Sequence, residues 1–248
     1  MLGIVPAAGA ATRLQPLGGS KELLPVGVWR DADGVDRPRA VAEYLLARMA
    51  RAGADRVLMV VAPGKTDLIR YFGAGYAGMA IAYAIQPAPL GLCDALFRAL
   101  PFLQAEEPVL IGLPDTIWFP EDALAAAPRD RVHLVTFPVA APEHFDAVAW
   151  HGPETVERVE VKSPGPSDRR VWGAVAMPAA GLLALHRLWQ QPGRRDQFLG
   201  HLLNAWIAAG GRVTADRAGT EYWDVGTLAG YRAAMARLGA GEAVQRAA

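Results

Sequence analysis

Short, unbroken apolar runs alternate along this chain with stretches whose apolar residues recur every three or four positions. Leu2 to Val5, Val57 to Val61 and Val109 to Leu113 are runs of strand length, the pattern of a strand covered on both faces. Pro38 to Ala52 places Val41, Leu45, Met49 and Ala52 on one helical face, with Gly53 positioned to end the helix. A short helix over Asp67 to Phe72, a strand through Ile81, Tyr83 and Ile85, and a helix from Leu92 to Leu103 continue the alternation. That βαβ rhythm predicts an α/β fold with a doubly wound, mostly parallel (mixed) sheet. Ligands of such sheets sit beyond the carboxyl ends of the strands.

The second half changes character. Val132 to Val139 is strand-like, and Ala147 to Trp150 and Thr155 to Lys162 flank the turn signal His151-Gly152-Pro153-Glu154, which predicts a small antiparallel lobe. Ser163-Pro164-Gly165-Pro166 breaks the chain before a strand at Val171 to Met177. Helices are expected over Pro178 to Trp189 and Arg195 to Ala209, and a last amphipathic one through Leu228, Tyr231, Met235 and Leu238. No repeat or low-complexity linker divides the chain. The expectation is a single domain over residues 1–240, with 241–248 as a frayed tail.

Composition narrows the classes of function. The 248 residues carry 25 basic and 25 acidic side chains with no run of either sign, which argues against a nucleic-acid or membrane-surface partner. Cys93 is the only cysteine, so neither an intrachain disulfide nor a thiolate zinc cage is available. Met1 to Ala11 lacks a basic leader region, and no apolar run approaches the roughly 20 residues of a membrane span, so a soluble, cytoplasmic protein is expected. The five histidines show no metal-ligand spacing, and nothing fixes the oligomeric state.

The candidate chemistry is concentrated in Gly3 to Val26, GIVPAAGAATRLQPLGGSKELLPV. A strand runs into a turn of small residues, with Arg13 and Lys21 close behind. Backbone N–H groups followed by fixed cations can cradle a polyphosphate. The same stretch also reads as an ordinary strand-to-helix turn with solvated charges, and neither GxGxxG nor GxxxxGK[ST] is present.

PAAGAATRLQP and SKELLPV resemble the LAGGxGTRLxP and SKxLLPV signature of the sugar-1-phosphate nucleotidyltransferases, most clearly the glucose-1-phosphate thymidylyltransferase branch. The resemblance implies a Rossmann-like nucleotidyltransferase sheet with the antiparallel lobe on the sugar side. Arg13 and Lys21 would then grip the triphosphate while Ala7, Ala8 and Gly9 line the nucleotide. Ala8 and Ala11 stand where the family has glycine, so the loop must adopt a conformation that alanine tolerates.

Four further segments carry the likeness. Asp115 after VLIGLP and Asp224 in EYWDVGT each follow a strand; alone, each reads more readily as an ordinary turn or capping residue than as a metal ligand. Together they match the family's two metal aspartates and imply Mg²⁺, with Pro114 replacing a glycine. QPAPLGLCDAL resembles QPxPxGLAxAL, whose Gln and second Gly meet the base: here Gln86 and Gly91. A Gln amide suits a uracil or thymine edge, so dTTP or UTP is favoured. On the sugar-phosphate side Glu160, Lys162, Val171 and Gly173 match, whereas Val161 and Ser163 replace a Glu and a Pro and Asp146 stands where bare backbone is expected. Glu160 and Lys162 also read as a solvated strand face.

The implied activity joins a nucleoside triphosphate to a sugar 1-phosphate, giving a nucleotide-sugar and pyrophosphate. Two alternatives stay open: transfer to a non-sugar phosphorylated acceptor, and a non-catalytic nucleotide-binding homologue.

Overall fold

The computed structural model describes residues 1–31, 33–239 and the backbone of Val244–Gln245. The strands are β1 (Leu2–Pro6), β2 (Pro25–Arg30), β3 (Asp36–Ala40), β4 (Arg56–Val61), β5 (Gly75–Tyr76), β6 (Met79–Ile85), β7 (Pro108–Gly112), β8 (Thr116–Phe119), β9 (Val132–Pro138), β10 (Asp146–His151), β11 (Thr155–Val161), β12 (Arg170–Pro178), β13 (Val213–Ala215), β14 (Glu221–Asp224) and β15 (Val244–Gln245). The helices are α1 (Val41–Arg51), α2 (Thr66–Phe72), α3 (Leu92–Phe97), α4 (Ala123–Ala126), α5 (Ala179–Trp189), α6 (Leu199–Ala208) and α7 (Leu228–Leu238).

Ten strands form one sheet in the order β10-β11-β13-β9-β12-β7-β1-β4-β6-β5. Around its centre β7, β1, β4 and β6 run parallel, as the apolar runs predict. β12 then enters antiparallel to both β7 and β9, and the antiparallel β10–β11 hairpin closes that edge. The predicted antiparallel lobe is therefore an extension of the main sheet and adds no layer of its own.

Alternate residues of the central strands feed two cores. Ile4, Leu58, Val60, Val109 and Ile111 pack beneath α3, α5 and α6 through Leu96, Leu182, Leu185, Leu202 and Leu203. Val5, Met59, Val61 and Leu110 face Leu45, Leu46, Met49, Leu68 and Leu124 of α1, α2 and α4. Burial on both faces explains why these strands read as continuous apolar runs. Each such side chain contributes roughly 1.5–3 kcal/mol relative to exposure.

Three helices start or stop away from their sequence expectations. α1 begins at Val41 because Asp36–Ala40 pairs with β2, and the Glu43 carboxylate accepts the Ala40 N–H at 2.9 Å to fix the start. α3 ends at Phe97, and the chain tightens into a 3-10 turn at Leu100–Phe102, where Pro101 has no N–H to continue an α-helix. α6 begins at Leu199; the preceding Gln197 carbonyl is taken up by the N–H groups of Leu92 (2.8 Å) and Cys93 (3.3 Å) at the start of α3.

Two small sheets complete the molecule: β8 with β14, and β15 with β2 and β3. The tail expected to fray, residues 241–248, lies outside the described residues except Val244–Gln245, whose backbone pairs in parallel with Trp29 and Arg30. No described helix is long and apolar enough to cross a membrane.

Candidate active site

β1 delivers the chain into the signature loop at the carboxyl edge of the sheet, between the ends of β4 and β7. Both backbone groups of Ala7 are used internally: its N–H donates to Val60 O (2.7 Å) and its carbonyl accepts from Lys65 Nζ (2.6 Å). The same ammonium meets both oxygens of the fully buried Glu22 at 2.7 Å, which ties the two ends of the loop together. Burial raises the Glu22 carboxyl, with Lys65 opposing. Asp67 adds a third tie, accepting from Ser20 N at 2.6 Å and from Ser20 Oγ at 2.8 Å. Lys21 is thus presented by a loop clamped on both sides. Ala11, which replaces a family glycine, takes the left-handed conformation at φ 55°.

The β8–β14 ladder brings Asp115 and Asp224 together. Asp224 pairs in register with Thr116, and Val225 N donates to Asp115 O at 2.8 Å, so the two acids lie side by side across the ladder end. Gly226 sits between them: a Cβ there would stand 2.7 Å from Asp115 Oδ2 and 2.7 Å from Asp224 Oδ1. The two oxygens are therefore no further apart than twice that distance. Lys21 Nζ binds Asp115 Oδ2 at 2.5 Å, and Arg13 Nη1 binds Asp224 Oδ2 at 3.2 Å. Both sequence-predicted cations and both predicted acids thus form one cluster.

Burial, and then the neighbouring Asp115, raise the Asp224 carboxyl above its usual range, while Arg13 pulls it the other way. Burial alone would lower the Lys21 ammonium, but Asp115 outweighs it, with smaller help from Glu22 and Asp224, and the net shift is upward. Tyr222, two residues before Asp224, is raised well above the ordinary phenol by burial and then by Asp224 and Asp115, so its hydroxyl keeps its proton beside both acids.

Among the described residues no group of three or more His, Cys, Asp and Glu converges as a ready-made metal cage. Two convergent carboxylates do suit Mg²⁺, which takes one or two protein carboxylates and completes its shell with phosphate oxygens and water.

Two cavities flank this cluster. One of about 390 Å³ lies between the signature loop and the turn after β4, lined by Ala10, Ala11, Lys21, Lys65 and Asp67 among others. The other, of about 250 Å³, is walled by Ala8, Gly9, Gln86, Pro89, Gly91 and Leu92. Gln86 is buried, and its Nε2 donates to Gly91 O and to Asp94 Oδ2, both at 2.9 Å. Gly91 has φ 95°, and a Cβ there would lie 2.6 Å from the Gln197 Cβ. Close packing against Gln197 therefore demands glycine at 91 whether or not a ligand is near.

The four sugar-side candidates are less tightly grouped. Val159 and Val161 both face Gly200 of α6, and Glu160 between them points to the opposite face. Its carboxylate accepts from Ser167 N (2.6 Å), Ser167 Oγ (2.9 Å) and Arg158 Nη2 (2.6 Å). Burial opposes ionisation there, but these donors win and hold the carboxyl below its usual range. Lys162 sits at φ 46° with its ammonium 4.5 Å from the Phe198 ring centroid. Val171 is fully buried in β12, and the absent side chain of Gly173 makes room for Tyr222, whose Cε2 lies 2.6 Å from the built Cβ. Asp146, in register with Val161, has its carboxyl raised by burial.

Sequence reasoning missed Glu22, Lys65, Asp67 and Tyr222. Glu22 stands inside the SKELLPV motif and Tyr222 just before WDVGT, but only three-dimensional pairing reveals the supporting role of Lys65 and Asp67. Cys93, expected as an inert packed thiol, is buried, and burial pushes it up to about 12.

A family model described as nucleotidyl transferase matches residues 2–240. The glucose-1-phosphate thymidylyltransferase of Neisseria meningitidis is 32% identical over 183 residues, 70% of this chain and 60% of that protein. The bifunctional protein GlmU of Parvibaculum lavamentivorans is 28% identical over 192 residues, 73% of this chain and 40% of that protein. The chain therefore spans at most about three fifths of the length of these curated relatives. Among solved structures, a candidate glucose-1-phosphate thymidylyltransferase from Bacillus anthracis in complex with a sucrose superposes with a TM-score of 0.81 at 18% identity, covering 98% of this chain and 97% of that one. A UTP-bound UGPase from Acinetobacter baumannii gives 0.75 at 20% identity, covering 95% and 92%. These likenesses agree with the sheet order, and the match over nearly the full chain establishes that it belongs to the nucleotidyl transferase family.

Proposed function

We propose that this protein transfers a nucleotidyl group from a nucleoside triphosphate, with dTTP or UTP favoured, to a sugar 1-phosphate, releasing pyrophosphate. The observation that carries the reading is the four-residue cluster of Arg13, Lys21, Asp115 and Asp224 around Gly226, set between two cavities. A module that only held a nucleotide would have no need of two cations already paired with two convergent acids.

In the transfer an oxygen of the acceptor phosphate bonds to the α-phosphorus as the bond from that phosphorus to the bridging β-oxygen breaks. Negative charge grows on the departing pyrophosphate, and Arg13 and Lys21 are the groups that meet it. To do so they leave Asp224 and Asp115, whose oxygens become free for Mg²⁺. Bound there, the ion would neutralise phosphate charge and align the reacting oxygens. Ala8, Gly9, Gln86 and Gly91 wall the cavity proposed for the base. Lys162 is proposed to meet the acceptor phosphate and Glu160 its sugar hydroxyls, with Val171 and Gly173 shaping the strand behind them. The cytoplasm, with its supply of these substrates and Mg²⁺, is the compartment this reading favours.

The test is a panel of nucleoside triphosphates against sugar 1-phosphates and non-sugar phosphomonoesters, with pyrophosphate release as readout. Turnover is expected with dTTP or UTP and a sugar 1-phosphate, abolished by chelation and reduced by orders of magnitude in Asp224→Asn with the fold intact. Lys21→Ala is expected to lower kcat by roughly 10²–10³, as when one preorganised donor is removed. Full turnover in excess chelator would remove the two-aspartate role, and turnover only with a non-sugar phosphomonoester would reassign the acceptor.

A further inference from the structure

We infer that Asp94 is a positioning residue that fixes which atom of Gln86 a nucleotide base meets; the inference rests on the proposed use of the Ala8–Gln86–Gly91 cavity for the base. Gln86 closes β6 at the cavity wall, with its backbone N–H bound to Val61 O at 2.9 Å. Its side-chain nitrogen carries two hydrogens, and both are engaged, one by Gly91 O and one by Asp94 Oδ2. The amide cannot be turned over, because both partners only accept. Turning it would set the Gln86 carbonyl oxygen against another carbonyl and a carboxylate. No described side chain or backbone group donates to Oε1, which is therefore the polar atom Gln86 has left for a ligand.

Asp94 can hold this orientation because it is itself held. It lies in the first turn of α3, nearly fully buried, and both its oxygens accept from Arg98 one turn later, at 2.9 and 3.2 Å from Nη2. Asp94 thus meets Gln86 with oxygens already held in place by the guanidinium. The relay runs Arg98, Asp94, Gln86, cavity.

The chemical consequence is sharper than a Gln alone would give. A Gln with both ends free can donate or accept, and so tolerates several bases. A Gln reduced to one acceptor selects a base that presents a ring N–H at that edge. Uracil and thymine do; cytosine presents an unprotonated nitrogen at the same place, which would set two acceptors face to face. The discrimination therefore belongs to Asp94 as much as to Gln86, although Asp94 never touches the base.

The experiment measures binding of UTP, dTTP and CTP with Mg²⁺ to the wild-type protein, Asp94→Ala and Asp94→Asn by isothermal titration, alongside thermal denaturation. Binding needs no acceptor, so the result does not depend on which acceptor is used. Wild type is expected to prefer UTP or dTTP over CTP. In Asp94→Ala that ratio is expected to shrink roughly tenfold, about the effect of one orienting hydrogen bond. Asp94→Asn keeps a carbonyl oxygen for Gln86 and is expected to retain most of the preference. A purely structural role would weaken all three nucleotides in proportion. An unchanged ratio in a folded Asp94→Ala protein would overturn the inference and leave the proposed function standing. If Asp94→Ala does not fold, loss of the preference in a folded Arg98→Gln protein supports the relay and its retention overturns it. Failure of the wild type to bind any of the three would overturn both.

Discussion

Ala11 holds a backbone conformation that glycine adopts more readily than alanine. The left-handed conformation at φ 55° costs a non-glycine residue roughly 1–2 kcal/mol, and the loop carrying it is tied at Ala7 by Lys65 and at Ser20 by Asp67. Ala11→Gly would relieve that strain but give the unfolded chain more freedom, about 0.4–1 kcal/mol in the other direction. The expected net result is a gain of roughly 0.5–1 kcal/mol, read as a higher denaturation midpoint at unchanged slope. Ala11→Val should lose stability instead, since a β-branched residue tolerates this region poorly. At this scale the sequence was informative wherever a side chain carries its own chemistry. Arg13, Lys21, Asp115 and Asp224 were all legible as candidates, and the structure brings them together. It was less informative where a residue also answers to packing: Gly91 reads as a base contact, but its φ of 95° and the close approach of Gln197 call for glycine there in any case. The double hydrogen-bonding capacity expected of Gln86 is likewise halved by Asp94, eight residues away on another element.

Among the elements, α1 is attached to the acid cluster by one buried cation. Arg48 is almost wholly buried, and among the described residues no carboxylate is bonded to it; it donates to Trp118 O through Nε (3.1 Å) and Nη2 (2.5 Å) and to Tyr44 O through Nη1 (2.7 Å). The rings of Trp118, Phe119 and Tyr44 lie 4.8, 5.3 and 5.5 Å from its guanidinium carbon and complete its surroundings. Arg48→Met fills similar space but leaves the buried Trp118 carbonyl without its side-chain donors, while Tyr44 O keeps its helical N–H, at roughly 1–3 kcal/mol. The expected outcome is that loss in urea unfolding together with reduced turnover, because Trp118 lies in β8, whose register with β14 sets Asp115 beside Asp224. Thermal loss without any change in turnover would disconnect Arg48 from the site. The helical face of α1 was readable, but this role was not: periodicity sets Arg48 off the apolar stripe, as a solvated charge would be. The β8–β14 pairing was equally hidden, since its strands are separated by some hundred residues and each is too short to announce a partner.

For the whole molecule, local pattern was enough to place the parallel strands, whose apolar runs report burial on both faces. It could not tell that the antiparallel strands extend the same sheet, because strand order across β12 and β13 is decided by distant pairing. One contact between the halves has a consequence beyond packing. The Gln197 carbonyl caps the start of α3 beside the cavity proposed for the base, and the next residue, Phe198, carries the Lys162 ammonium on its ring. Any shift of the α3 start on nucleotide binding would pass through one peptide to the cation proposed for the acceptor phosphate. By thermodynamic reciprocity the acceptor must return the same free energy to the nucleotide. Saturating nucleotide is therefore expected to change acceptor affinity by about fivefold or more, the lower end of such linkages. Phe198→Ala should bring that factor close to one while each substrate still binds alone, and a factor unchanged in the variant would exclude this route. The two substrates would then meet the protein as correspondents, each reading through Gln197 whether the other has arrived.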